Sequence, residues 1–186
     1  MNLLMTSALT GDSFEANLRD LMDQGFKAIK LSIDNFGHRD SSRSDSEWDL
    51  CEAKLLESAR AIVGDNIELM LDVYGSDPNW TPDFHWAVKT ASVLEELNYL
   101  WFEEPLTPEA VDDYARLTQG TNIAIARGED LILTKDFEHL ATRKAVNILQ
   151  PDCTRVGGLT AMQSIRTSAA KNHINLIPHG WNKIGR

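Results

Sequence analysis

The sequence predicts an α/β fold of parallel βα units that curl towards a TIM-type (β/α) barrel. Three observations carry this. Short β-branched or aliphatic runs alternate with longer amphipathic stretches along the whole chain, the pattern of βαβ units on a parallel sheet. Ionisable residues recur at the C-terminal ends of those runs, the rim where barrel enzymes assemble their sites. No Gly-rich phosphate loop follows the first strand, as an open nucleotide-binding sheet would require; Gly157-Gly158 before a helix is not that fingerprint.

In chain order, Leu3–Ser7 is a candidate opening strand, followed by a helical pattern over Asp12–Gln24. Ala28–Ile33 is β-branched and aliphatic and reads as a strand. The polar stretch Asp34–Asp45 holds five charges and a histidine in twelve residues, and reads equally as a functional barrel loop or a solvated one. The helix Ser46–Val63 precedes the strand Ile67–Val73, and the helix Pro82–Leu97 precedes the strand Tyr99–Glu103. Pro108–Gln119 is the next helix, then the strand Asn122–Ala126, the helix Lys135–Thr142 and the strand Ala145–Gln150. Leu159–Asn172 and Asn175–Pro178 close the series. Thr81-Pro82 and Thr107-Pro108 place a capping side chain before proline, a helix-start signal. No linker rich in Gly, Pro or Ser interrupts the alternation, so residues 1–186 read as a single domain. A full barrel takes about 250 residues, so the barrel is expected to be incomplete, with about seven βα units and no eighth strand.

A hydrophobic fraction of 42% with 25% charged residues is that of an ordinary globular protein. The net charge of −10 argues against nucleic acid and anionic membrane surfaces as partners. No apolar run reaches the ~20 residues of a membrane span, and Met1–Thr10 lacks a basic leader region. Cys51 and Cys153 are too few and too far apart for a disulfide framework or a zinc site. The expected compartment is the cytoplasm.

Lys30, Asp72, Glu103, Glu129, Asp152 and His179 lie at or near successive strand ends, with gaps of 42, 31, 26, 23 and 27 residues. After the first gap, which contains the polar loop, each fits one βα unit. Three carboxylates delivered to one rim by neighbouring units repel one another unless a cation joins them. A hard divalent ion, Mg²⁺, suits oxygen donors and keeps positions open for substrate oxygens. Asp72, Glu103 and Glu129 are the expected ligands. Asp152 beside His179 would fix the imidazole tautomer and support it as a general base. Lys30, facing such a site, becomes a cation for a substrate carboxylate or a proton carrier.

Taken as an ordered set, Gly25-Phe-Lys-Ala-Ile-Lys30, Leu71-Asp72-Val73, Phe102-Glu-Glu-Pro-Leu106, Gly128-Glu129, Gln150-Pro-Asp152 with Arg155-Val-Gly-Gly158, and Pro178-His179-Gly-Trp181 resemble the enolase superfamily. Within it the likeness is to the mandelate racemase/muconate lactonizing enzyme-like C-terminal barrel domain, among the sugar-acid enzymes. The resemblance implies Mg²⁺ on Asp72, Glu103 and Glu129, with Glu103 rather than Glu104 as the ligand of its motif, and a His179–Asp152 dyad. It implies a small carboxylate substrate, a sugar acid, that loses its α-proton to His179 and then its β-hydroxyl, giving a 2-keto-3-deoxy acid. Homo-oligomers fall within the same expectation.

Two departures shape it. The family often carries Lys-x-Lys on this strand with the second lysine as a base, where this chain has Lys30-Leu-Ser32. Racemisation generally needs proton carriers on both faces of the carbon, so Ser32 tilts the expectation from racemase or epimerase to dehydratase. Tyr74 stands where some relatives keep an acid-supplying residue. The family's N-terminal capping domain is also expected to be missing, which makes a catalytically inactive fragment the third reading.

Overall fold

The computed structural model of the chain describes residues 3–7, 12–32, 42, 44–77 and 82–180. Most of the polar stretch Asp34–Asp45, and Trp181–Arg186, lie outside the described residues. The chain divides into two compact units, Met1–Leu106 and Thr107–Arg186.

The first unit runs β1 (Leu3–Ser7), α1 (Asp12–Asp23), β2 (Ala28–Ser32), α2 (Asp45–Val63), β3 (Glu68–Asp72), α3 (Phe84–Glu96) and β4 (Trp101–Glu103). Its strands pair in sequence order and in parallel, β1 on β2, β2 on β3, β3 on β4. The register places Ser32 opposite Asp72 and Asp72 opposite Glu103. Strand alternation then sorts the side chains. Phe102 turns to the helices, where its ring meets Trp86 of α3 edge-on at 5.9 Å. Its neighbours Trp101 and Glu103 share the opposite face. On α1, Phe14, Leu18 and Leu21 recur at helical spacing and are buried.

The second unit runs α4 (Val111–Gly120), β5 (Ala124–Arg127), α5 (Thr134–Thr142), β6 (Ile148–Leu149), α6 (Leu159–Lys171) and β7 (Asn175–Leu176). Here β5 pairs with β6 and β6 with β7, again in parallel. Beyond the named strands the pairing continues as an isolated parallel bridge between Asp152 and His179. Among the described residues, no helix is long and apolar enough to cross a membrane.

Every predicted helix and strand is present, with differences at the ends. α3 begins after Asp83 rather than at Pro82, because the Asp83 carboxylate accepts from the Trp86 N–H and supplies the cap; Thr81 lies outside the described residues. α4 begins at Val111, three residues past Pro108. Thr107–Ala110 forms a separate turn closed by Ala110 N–H on the Thr107 carbonyl, and Asp112 and Asp113 meet the positive end of the helix. β6 starts late because Asn147 intervenes: its side-chain oxygen accepts from Ile125 N–H while its own N–H donates to the Ile125 carbonyl.

Candidate active-site residues

In the first unit, Lys30, Asp72 and Glu103 come together. The register sets Asp72 and Glu103 level on adjacent strands, while Lys30 pairs with Met70, two residues below Asp72. The lysine chain is long enough to climb that distance. Its Nζ lies 2.5 Å from Glu103 Oε1, with a hydrogen bond, and 2.9 Å from Asp72 Oδ2. Asp72 and Glu103 have no exposed surface, and Lys30 has almost none. Two carboxylates and one ammonium thus share a site that water does not reach.

Electrostatics follow from that burial. Burial pushes the Asp72 carboxyl up and the Glu103 charge pushes it further, against the pull of the Lys30 ammonium, to about 8. Burial works against the charge on Lys30, but Glu103 and Asp72 outweigh it and hold the ammonium above its ordinary value. Asp72 Oδ1 accepts from the Tyr74 backbone N–H at 3.3 Å, whereas the buried Oδ2 is met by the Lys30 ammonium at 2.9 Å. Glu103 Oε2 accepts from the Trp101 indole N–H at 2.9 Å. Asp72 Oδ2 and Glu103 Oε1 therefore converge on one cationic point, both hard oxygen donors. That is a donor set suited to a small divalent cation.

The loops just beyond these strands are tightly drawn. Tyr74 and Glu104 both adopt left-handed backbone, with φ of 52° and 48°. Gly75 donates its N–H to the Glu104 carbonyl at 2.8 Å, and a β-carbon there would stand 2.3 Å from that oxygen and 2.4 Å from Leu106 O. Only glycine allows the two strand-end loops to meet so closely. Tyr74 touches Asp72 through its backbone.

In the second unit, Glu129, Asp152 and His179 come together. The bridge that extends the β6–β7 pairing sets Asp152 beside His179, and the His179 N–H donates to the Pro151 carbonyl. His179 Nδ1 then lies 3.0 Å from Asp152 Oδ2, and Nε2 lies 3.4 Å from Glu129 Oε2. The other Asp152 oxygen accepts from the Thr154 hydroxyl at 2.6 Å and the Thr154 backbone N–H at 2.7 Å. Burial alone would raise the Asp152 carboxyl; the Thr154 donors and the His179 ring reverse this and hold it below its ordinary value. An ionised Asp152 keeps a proton on Nδ1 and leaves Nε2 as the basic nitrogen. Glu129 is presented by Gly128, whose φ of 129° and proximity to the Phe137 ring, 2.9 Å from where a β-carbon would sit, exclude larger residues.

Residues 13–186 match the sequence profile of the family described as enolase C-terminal domain-like. The chain belongs to that family. This enolase C-terminal domain-like chain is 32% identical over 167 residues to a D-galactonate dehydratase of Ralstonia pickettii (strain 12J), covering 88% of the chain and 41% of the relative. Among solved structures it resembles a 3,6-anhydro-D-galactonate cycloisomerase from Zobellia galactanivorans, with a TM-score of 0.81 and 28% identity over 98% of the chain and 46% of that structure. It also resembles an L-talarate dehydratase from Polaromonas sp. JS666 complexed with Mg and L-glucarate, with a TM-score of 0.78 and 26% identity over 94% of the chain and 45% of that structure. The barrel-type fold class expected from the sequence is the one it shares with these enolase C-terminal domains. The chain spans less than half the length of each of the three.

Sequence reasoning missed two members of these clusters. Trp101 stands two residues before Glu103 on the same strand face, a spacing that could have marked it. Thr154, two residues after Asp152, has the spacing of an Asx-type turn.

Proposed function

We propose that this chain carries the Mg²⁺-dependent machinery for removing a proton next to a carboxylate, and that its reaction is dehydration of a sugar acid to a 2-keto-3-deoxy acid. On this reading residues 1–186 act as one domain, with Asp72, Glu103 and Glu129 holding the metal ion. A divalent cation bound there supplies charge neutralisation for the substrate carboxylate and for the electron pair released with the α-proton.

The observation that carries the reading is the 3.0 Å contact between His179 Nδ1 and Asp152 Oδ2. It orients one imidazole as a base. His179 Nε2 takes the α-proton, and Asp152 steadies the imidazolium that results. The electron pair left on the α-carbon expels the β-hydroxyl, which takes the proton back from the His179 imidazolium and departs as water, restoring the neutral ring. The enol that remains becomes the 2-keto acid by moving a proton to carbon 3. Lys30 supplies fixed positive charge next to the carboxylates.

One oriented base suits elimination better than racemisation, and the position two after Lys30 is Ser32 rather than a second lysine. Cycloisomerisation is the second reading, favoured by the likeness to the cycloisomerase structure. The test is a panel of sugar acids incubated with the purified chain and Mg²⁺, read for 2-keto-3-deoxy products. Product formation abolished by His179→Asn supports dehydration. Ring-opened or ring-closed isomers without loss of water favour the second reading, and no turnover on any acid refutes catalysis by this chain.

A further inference from the structure

The two oxygens of Glu103 are not equivalent. Oε1 meets the Lys30 ammonium at 2.5 Å, and Oε2 meets the indole N–H of Trp101 at 2.9 Å. Trp101 is 2% exposed and Glu103 is fully buried, so no water competes for either contact. The pair sits at i and i+2 on β4, on the face opposite Phe102, which is occupied with Trp86. Backbone geometry therefore fixes both the indole and the carboxylate it holds.

These two donors differ in what a metal ion does to them. An ammonium is repelled by an arriving divalent cation and can be replaced by it. The indole is neutral and donates only, so it has no electrostatic reason to leave. Losing Oε2 would strand its N–H in a dry interior, at the cost of an unmade buried hydrogen bond. Oε2 is thus reserved, and Oε1 is the oxygen that can change partner.

Resting on the metal site proposed above, we infer that Trp101 is a positioning residue that restricts Glu103 to one-oxygen ligation and thereby favours Mg²⁺ over larger cations. Mg²⁺ demands near-octahedral geometry and commonly takes single carboxylate oxygens. Ca²⁺ accepts six to eight ligands and readily takes both oxygens of one carboxylate. A glutamate with one oxygen withheld suits the smaller ion. Trp101→Phe keeps a smaller aromatic ring on the same strand face and removes the donor, which frees Oε2 to join the coordination.

The test is calorimetric titration of the full chain and of Trp101→Phe with MgCl₂ and, separately, CaCl₂. The expected result is a fall of about tenfold or more in the ratio of Mg²⁺ to Ca²⁺ affinity, the scale on which outer-shell partners of metal ligands act. A wild-type chain that binds Mg²⁺ and a variant with an unchanged ratio overturn the role of Trp101 alone. A wild-type chain that binds neither ion overturns the metal site and this inference together. Should Trp101→Phe fail to fold, the assigned indole N–H resonance of Trp101 in the wild-type chain decides. It stays downfield and slow to exchange on Mg²⁺ addition if the contact persists, and moves upfield with fast exchange if the inference is wrong.

Discussion

The Arg60 guanidinium, near the end of α2, donates to the Asn98 carbonyl in the turn after α3 at 2.9 Å. The same side chain reaches the carbonyls of Leu97, Gly64 and Ile67 at 2.8–2.9 Å and lies over the Tyr99 ring at 5.6 Å. One residue thus gathers the C-terminal ends of two helices, whose last carbonyls otherwise lack partners. Arg60→Ala is expected to cost about 2–4 kcal/mol, read as a lower midpoint in urea. Arg60→Lys should recover less than half, because an ammonium cannot spread over four acceptors.

Lys30 is the internal counter-ion of Asp72 and Glu103. Lys30→Met leaves two buried carboxylates facing each other, and breaking a buried pair this way costs about 3–5 kcal/mol. The loss should be largest in EDTA and smaller in millimolar Mg²⁺. Thermal melts in the two conditions check this, and an equal loss in both would contradict Mg²⁺ binding at these carboxylates.

His179→Asn keeps a polar group in place and removes the proposed base. A general base contributes about 10²–10⁴-fold to rate, so kcat should fall by that factor with KM little changed. Exchange of the α-proton in deuterated water should fall in parallel, which separates proton removal from the later loss of water.

Asp152 carries a pH signature. Its folded carboxyl titrates below its ordinary value, so folding favours the ionised form. The stabilisation is therefore fully present above the unfolded carboxylate value of about 4 and is lost as pH falls through the depressed one. Melting temperature against pH should drop more steeply below pH ~4 for the wild type than for Asp152→Asn, whose acid limb lacks this component.

Gly75→Ala forces a β-carbon against two backbone oxygens, where no side chain can swing aside. Strain of this kind costs about 1–3 kcal/mol. Because the displaced loops follow Asp72 and Glu103 directly, Mg²⁺ affinity by calorimetry should weaken along with stability.

Much of this was legible from spacing. Alternating apolar patterns located each helix and strand. The near-constant interval between strand-end carboxylates anticipated the register that sets Asp72 beside Glu103, and the bridge that sets Asp152 beside His179. Less visible was depth: Lys30 belongs to a lower layer than Asp72 and reaches it only through its length. The start of α3 was misplaced because a side chain able to accept a free N–H, as Asp83 does, outranks the preset φ of proline. That of α4 was misplaced because Thr107–Ala110 closes as a turn of its own, with no side-chain cap on the helix. Trp101 escaped notice because an apolar ring in an apolar strand reads as packing, and its donor is evident only beside its acceptor.

The shortness of β4 has an evolutionary consequence. Its three residues alternate between an indole donor, a ring packed on α3 and the buried carboxylate that the indole and Lys30 hold. Gaining or losing one codon between Tyr99 and Glu103 would rotate the phenylalanine into the interior and the acid into the helical layer. Lineages descended from such a chain can vary the neighbouring loops far more readily than the length of this strand. Homologous segments should align here without gaps, even where the neighbouring loops vary freely in size.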